Sequence, residues 1–395
     1  MSKTLQAEAK QLAPKLRKIR REIHMHPELA YQEIRTSRLV AKTLRAAGLD
    51  VTTGVAKTGV VALLRGGRPG KTVAMRGDMD ALPITEQNNV PYRSRVDGVM
   101  HACGHDGNTT TVVGAALLLA QHRREIRGNV KFIFQPSEES PPGGALPMIK
   151  EGALRKPKVD MILSLHVDST IPTGRIGVRD GPMMAAADDF QFAVLGEASH
   201  GAKPHLGVDA IVLSAQVIQA LQAIPSRRVN PVHPVVITCG TINGGYRRNV
   251  IADRVDVDGT IRTLDARDRK LVPRLVERTL SSVTKAAGGS YAFRYNEGYP
   301  ILTCDPGVSE IVRRAARDTL GRRGVVEIGE PSMGGEDFAF FVNEVPGMMF
   351  RLGTMNKDRG FTYPWHHPRF DIDEEALWMG AAVLARAAMI YFEEQ

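Results

Sequence analysis

Apolar residues recur at three- and four-residue spacing over positions 5–22 and again over 32–47, which predicts two amphipathic helices, with Gly48 as the stop of the second. The period then shortens. Gly59 to Leu64 and Thr72 to Met75 read as strands, the latter running into Arg76-Gly77-Asp78-Met79-Asp80. A run of Ala, Leu and other small residues from Asn108 to His122 predicts a helix. Asn129 to Phe134 predicts a strand ending in Gln135-Pro136-Ser137-Glu138-Glu139, and Asp160 to His166 predicts another, closed by His166. Polar residues at the tips of buried strands are where α/β proteins place their chemistry, so these tips are expected to share one edge of one sheet.

From Asp188 the rhythm changes: strand Phe190 to Leu195, helix Val208 to Ile224, strands Val235 to Thr241 and Val255 to Arg262, helix Arg267 to Ala287, strand Tyr291 to Tyr295. That order suits a small four-stranded antiparallel sheet covered by two helices. Strand and helix alternation then returns and finishes in a helix from Glu374 to Phe392. An α+β domain inserted into an α/β domain accounts for this better than two domains in tandem. The expected divisions are residues 1–186 and 299–395 for the outer domain and 187–298 for the insert, and a length of 395 residues exceeds what one core usually holds.

Composition removes some classes of function. With 43% apolar and 24% charged residues the chain is an ordinary folded protein and not a mainly disordered one. The net charge of +9 raises nucleic acid as a partner, but Arg and Lys are scattered in doublets such as Arg227-Arg228, Arg247-Arg248 and Arg322-Arg323, without a long run or interleaved aromatic residues. A solvated basic surface that favours anionic small substrates is the better reading, with no nucleic-acid partner. The first thirty residues lack the apolar core and cleavage site of a signal peptide, and no stretch reads as a membrane span. Cys103, Cys239 and Cys304 form no paired framework, so the expected location is the cytoplasm.

The chemistry begins at His101-Ala102-Cys103-Gly104-His105-Asp106. A thiolate and an imidazole two positions apart can reach one ion from a turn, and both suit zinc or a similar borderline metal, although an isolated Cys-x-His is more often structural. In extended backbone Glu138 and Glu139 point opposite ways, so one could hold a metal while the other faces water, which is the division that metal-assisted hydrolysis needs. A solvated acidic pair at a loop start is the plainer alternative. His166 at a strand tip and His366-His367 before Pro368 add two further candidate ligands. Together Cys103, His105, Glu138, Glu139, His166 and His366 supply more ligands than one ion needs, so two ions sharing a bridging ligand is the economical reading. Gly-x-Ser-x-Gly, the signature of a serine hydrolase, does not occur.

These motifs together make the sequence recognisable. It resembles the amidohydrolase branch of the co-catalytic metallopeptidase family, which includes bacterial hippurate hydrolases, N-acyl-amino-acid amidohydrolases and plant hydrolases of indoleacetyl-amino-acid conjugates. The resemblance runs from Arg20-Arg21-Glu22-Ile23-His24 and His26-Pro27-Glu28-Leu29 through Arg76 to Pro83, the Cys103 and Glu138 segments and His200-Gly201-Ala202-Lys203-Pro204-His205. It continues through Asn249-Val250-Ile251 and Gly335-Glu336-Asp337-Phe338 to His366-His367-Pro368.

The resemblance implies a zinc-peptidase-like catalytic domain with a mixed central sheet and helices on both faces, and an inserted lid that commonly dimerises. It implies two divalent ions, zinc, manganese or cobalt, on Cys103, His105, Glu139, His166 and His366, with Cys103 bridging. Glu138 matches the catalytic base, and Asp78 the carboxylate that orients the site. His200 matches a lid histidine that reaches the partner subunit's site, while Asn249 and Arg262 match lid positions that touch substrate.

The implied activity is cleavage of the amide bond of N-acyl amino acids by a homodimer or homotetramer. Short peptides, or binding without catalysis, are the alternatives. Gly77, Asn108, Ser137, Ser199 and Trp365 depart from the family's usual residues, and Asn108 and Trp365 bear on substrate preference.

Overall fold

The first helix of the computed structural model, which describes residues 2–395, is α1 (Ser2–Met25), followed by α2 (Ile34–Ala46). α2 stops where the pattern says it should: Gly48, at φ +80°, turns the chain so that its N–H reaches Arg45 O and the N–H of Leu49 reaches Leu44 O. Then come β1 (Asp50–Val55), β2 (Gly59–Arg65), β3 (Arg68–Asp78), α3 (His105–Gln121), β4 (Arg127–Gln135), α4 (Ala145–Lys150), β5 (Met161–Pro172), β6 (Ile176–Val178) and β7 (Gly181–Met184). The middle of the chain forms β8 (Ala186–Leu195), α5 (Ala210–Leu221), α6 (Ala223–Arg227), β9 (Val235–Gly244), β10 (Arg254–Thr263), α7 (Ala266–Ala286) and β11 (Ser290–Tyr299). The remainder is β12 (Leu302–Cys304), α8 (Pro306–Leu320), β13 (Val325–Glu327), α9 (Ala339–Glu344), β14 (Gly347–Met355) and α10 (Ala376–Glu393).

Two compact units result. One holds the residues up to Gly181 with Thr303–Glu330 and Asp337–Gln395; the other holds Pro182–Leu302 with Pro331–Glu336. The first is built on a mixed eight-stranded sheet in the order β1-β2-β4-β3-β5-β14-β6-β13. Strands β4, β3, β5 and β14 run parallel at its centre, and β2 and β6 flank them antiparallel. α3 and α10 are buried almost all round, as helices at the middle of a layer must be. α10 is long and apolar enough to cross a membrane by composition, yet 78% of it is buried inside the protein, as in a core helix.

The second unit carries a four-stranded antiparallel sheet in the order β11-β8-β10-β9, with α5 and α7 over one face. Burial alternates strictly along the first half of β10, with Val255 and Val257 inward and Arg254, Asp256 and Asp258 outward, as a sheet wet on one side requires. Asp209 and Asp265 cap the two helices by accepting backbone N–H groups of the first turn.

Strand limits differ from the sequence reading in two instructive places. β1 was not anticipated, because it is a largely exposed edge strand whose two valines alternate with nothing apolar. β5 does not close at His166 but continues to Pro172. Its ladder with β3 ends at Ser164, whereas β14 remains paired with it as far as Pro172, so one neighbour keeps the strand going after the other has left.

α1 is fastened by charge. Arg20, with no exposed surface, gives Nε to Asp106 Oδ2 at 2.6 Å and Nη2 to Asp371 Oδ1 at 2.8 Å. His24 Nδ1 lies 2.7 Å from Asp106 Oδ2, and its Nε2 lies 3.2 Å from Glu86 Oε1. Burial and Arg20 work against a charge on His24, but Asp106 and Glu86 outweigh them and raise its pKa to about 9.

A pKa raised on folding stabilises the protein fully below the unfolded value near 6.5, and that contribution is lost as pH climbs through about 9. The shift corresponds to roughly 3 kcal/mol. Denaturant titrations of wild type and His24→Gln should therefore show a gap in stability that is largest below pH 6.5 and closes towards pH 10. A gap independent of pH would refute the charged pairing.

Candidate metal centre

Because β3, β4 and β5 are parallel, the C-terminal ends of β3 and β4 bring Asp78 and Gln135 level with His166, which lies just past the point where β5 parts from β3. Arg76 is fully buried there. It donates to Asp78 Oδ2 at 2.6 Å, to Gln135 Oε1 at 2.9 Å and to Asp337 Oδ1 at 2.9 Å, so a single cation ties three chain segments together. Asn108 Nδ2 donates to Asp78 Oδ1 at 2.8 Å, and Asn108 Oδ1 accepts the N–H of Val167 at 2.9 Å. Asn108 is thus a buried spacer between strands, a positioning part that its departure from the family pattern did not suggest.

α3 starts at His105, three residues earlier than its apolar pattern, because Gly104 at φ +89° turns the chain into it. A Cβ on Gly104 would lie 2.3 Å from Val167 Cγ2, so only glycine lets Cys103 and His105 come this close to β5. His105 Nδ1 faces the carbonyl of Asp80 at 2.9 Å and its Oδ1 at 3.2 Å, so Nδ1 carries the proton. Nε2 then points inward. It lies 3.9 Å from both Glu138 Oε2 and Glu139 Oε1 and 4.0 Å from Asp78 Oδ2, and has no hydrogen-bond partner among the described residues.

Glu138 and Glu139 are not in extended backbone. Ser137 at φ +54° bends the chain after β4, and both carboxylates approach the same histidine instead of opposite faces. Asp80 Oδ2 accepts the N–H of Glu139 at 3.0 Å and so links this bend to His105.

His166 Nδ1 donates to Val167 O at 2.9 Å, and its Nε2 lies 3.5 Å from Cys103 Sγ. His366, at φ +64°, is held by its N–H to Ala102 O at 2.9 Å, and its Nε2 reaches Glu139 Oε1 at 3.2 Å. His367 turns away, accepting the N–H of Arg369 and stacking on Tyr363.

Two groups of donor atoms, each within 4.8 Å of one another, share Cys103 here: Cys103, His105 and His166, and Cys103, Glu139 and His366. His105, Glu138 and Glu139 form a third beside them. The electrostatics ask for a cation. Burial and the neighbouring Glu139 push the Cys103 thiol well up, and the proton on His105, which burial opposes, is held above all by Asp78. Burial would raise Glu139, but His366 and His105 win and hold it below the usual carboxylate range. Burial, Arg351 and His105 depress His166, leaving it neutral. Soft sulfur, imidazole and carboxylate around an orphaned buried nitrogen fit a borderline divalent metal.

The three remaining sequence candidates belong to the second unit. His200 forms an antiparallel bridge with Val250, and Gly201 N–H donates to Asn249 O at 2.7 Å, so His200 and Asn249 are neighbours. His200 Nδ1 accepts the N–H of Ala202 at 3.0 Å, which fixes the proton on the exposed Nε2. Arg262 lies half-buried on β10.

Sequence reading gave no role to Arg76, Asp80, Gln135 or Asp337. Asp80 had a signal, two positions beyond Asp78 in a strand-end Asp-x-Asp, whereas the Arg76 and Asp337 pairing spans most of the chain.

Residues 74–390 match the model of peptidase family M20/M25/M40. The chain is 44% identical over 289 residues to the N-acyl-L-amino acid amidohydrolase of Geobacillus stearothermophilus, covering 73% of this chain and 78% of that protein. It is 41% identical to thermostable carboxypeptidase 2 of Saccharolobus solfataricus, covering 98% and 97%. Among solved structures, the Bacillus subtilis YXEP protein, described as a dinuclear metal binding peptidase from the M20 family, superposes with a TM-score of 0.85 at 34% identity, covering 97% and 99%.

Removal of metal with a chelator should abolish turnover, and re-addition should restore it. Cys103→Ala should bind less metal by elemental analysis. Asp80→Asn should weaken metal binding by roughly 10–100-fold, the usual effect of losing the partner of a ligating histidine. Full activity in protein free of metal would contradict this assignment.

Proposed function

The chain belongs to peptidase family M20/M25/M40, and from that membership we propose that it hydrolyses the amide bond of N-acyl amino acids, yielding a carboxylic acid and a free amino acid. It is a metal-dependent hydrolase of amide bonds. The observation that carries the finer reading is the pair of donor groups sharing Cys103 with Glu138 beside them.

In this reading Cys103, His105, Glu139, His166 and His366 hold two divalent ions, with zinc, manganese or cobalt all suited to the donor set. When bound, the ions supply Lewis acidity to the scissile carbonyl and make water easier to deprotonate. Glu138 accepts a proton from water as its oxygen bonds to the carbonyl carbon. It then passes that proton to the amide nitrogen, and the C–N bond breaks to release the amine. Asp78 and Asp80 hold the frame. The Nε2–H of His200, its tautomer set by Ala202, donates to the oxygen that gains charge, and Asn249 and Arg262 orient the substrate.

β9 is an edge strand carrying exposed Val236 and Ile242, followed by exposed Tyr246, and α5 shows exposed Ile211 and Val212. An uncovered apolar edge of this kind favours a homodimer through the second unit, with His200 serving the partner's centre. The three cysteines are all unpaired, which suits the cytoplasm. The similarity to a carboxypeptidase supports short peptides as a second substrate class. A panel of N-acetyl, N-benzoyl and indoleacetyl amino acids beside dipeptides separates the two.

Glu138→Gln keeps size and polarity but cannot accept a proton. It should fold, retain metal and turn over roughly 10²–10⁴-fold more slowly. Glu139→Gln should lose metal instead. A Glu138→Gln enzyme working near the wild-type rate would disprove the mechanism.

Mixing inactive His200→Ala with inactive Glu138→Gln subunits should regenerate part of the activity, since one hybrid centre would be intact. No recovery despite demonstrated subunit exchange would exclude a shared site.

A further inference from the structure

Trp365 takes no part in the reaction described, yet it touches one proposed ligand and immediately precedes another. Its indole Nε1–H donates to Val167 O at 2.9 Å, the same carbonyl that accepts His166 Nδ1–H at 2.9 Å. A carbonyl oxygen has two lone pairs and can serve both donors. The indole also meets the His166 ring edge to face, with centroids 4.9 Å apart and planes at 73°. Arg351, which pairs with His166 across β14 and β5, places its guanidinium 4.8 Å from the centre of the indole. Trp365 is therefore held between the cation and the imidazole. From there the chain passes directly into His366, whose left-handed backbone is anchored at Ala102.

We propose that Trp365 is a positioning residue of the metal centre, fixing the ring angle of His166 and the placement of His366 through one side chain. The proposal rests on the reading of Cys103, His105, Glu139, His166 and His366 as ligands. A histidine lacking such a brace can rotate about its side-chain bonds, and its nitrogen must be ordered each time an ion binds. The loss appears as metal affinity and not as fold stability.

The chain has only two tryptophans, Trp365 and Trp378, which supplies a direct readout. In Trp378→Phe all tryptophan emission comes from Trp365, and zinc added to the metal-free protein should change that emission until two equivalents have bound. Competition with a chromophoric chelator then gives affinities for wild type, Trp365→Phe and Trp365→Leu.

Trp365→Phe keeps a ring against His166 but loses the N–H donor, and should bind one of the two ions about tenfold more weakly. Trp365→Leu should lose about 100-fold, at the upper end for residues that orient a ligand. Both should melt, metal-free, within a degree or two of wild type. If Trp365→Leu binds both ions as tightly as wild type while His166→Ala does not, the positioning role is overturned and the ligand assignment stands. If wild type takes up no zinc, or His166→Ala binds two ions normally, the ligand assignment itself fails.

Discussion

A guanidinium without exposed surface sits where β3 ends, and the geometry of the centre follows from it. Arg76 is balanced by Asp78 and Asp337 and bonded to Gln135. Inside a protein a charge separated from its partners is far more costly than one in water, and breaking such a pair typically destabilises by about 3–5 kcal/mol. The order it imposes is passed on. Asp78, held by Arg76, receives Asn108; Asn108 receives the N–H of Val167; and the carbonyl of Val167 receives His166. A buried charge in the first strand of the parallel set thus dictates the angle of an imidazole in the third.

Histidine is used in two opposite ways by the same local means. At His105 and His166, Nδ1 faces a carbonyl oxygen, which can only accept, so Nε2 is left with its lone pair towards the centre whenever a cation displaces the proton there. At His200, Nδ1 faces the N–H of Ala202, which can only donate, so Nε2 carries hydrogen. One backbone group per ring decides which nitrogen keeps a lone pair and which carries hydrogen. His166 and His200 need no charged group for this, while at His105 the carboxylate of Asp80 adds to the backbone carbonyl.

How much of this was legible in the sequence depends on the range of the interactions involved. The second unit was plain, because the first half of β10 alternates residue by residue and Asp209 and Asp265 mark helix starts within their own first turns. The residues that meet at the centre were visible as motifs. The way they meet was not. Extended backbone at Glu138 and Glu139 failed on the left-handed Ser137, and the end of β5 was misplaced because a strand stops where its neighbours stop. Arg76 finds Asp337, and Arg20 finds Asp371, from the far end of the chain, and no local pattern announces a partner at that distance.

The donors around Cys103 come from the start of α3, the bend after β4, the middle of β5 and the turn that leads to α10. The complete donor set exists only in the native state, so an ion that prefers it would shift the unfolding equilibrium with the logarithm of its free concentration, less whatever the unfolded chain binds through the nearby Cys103 and His105. His366, which follows every strand of the central sheet, completes only the group with Cys103 and Glu139, whereas Cys103, His105 and His166 form theirs without it. An ion bound at this set would link metal supply to the lifetime of the folded protein as well as to its chemistry.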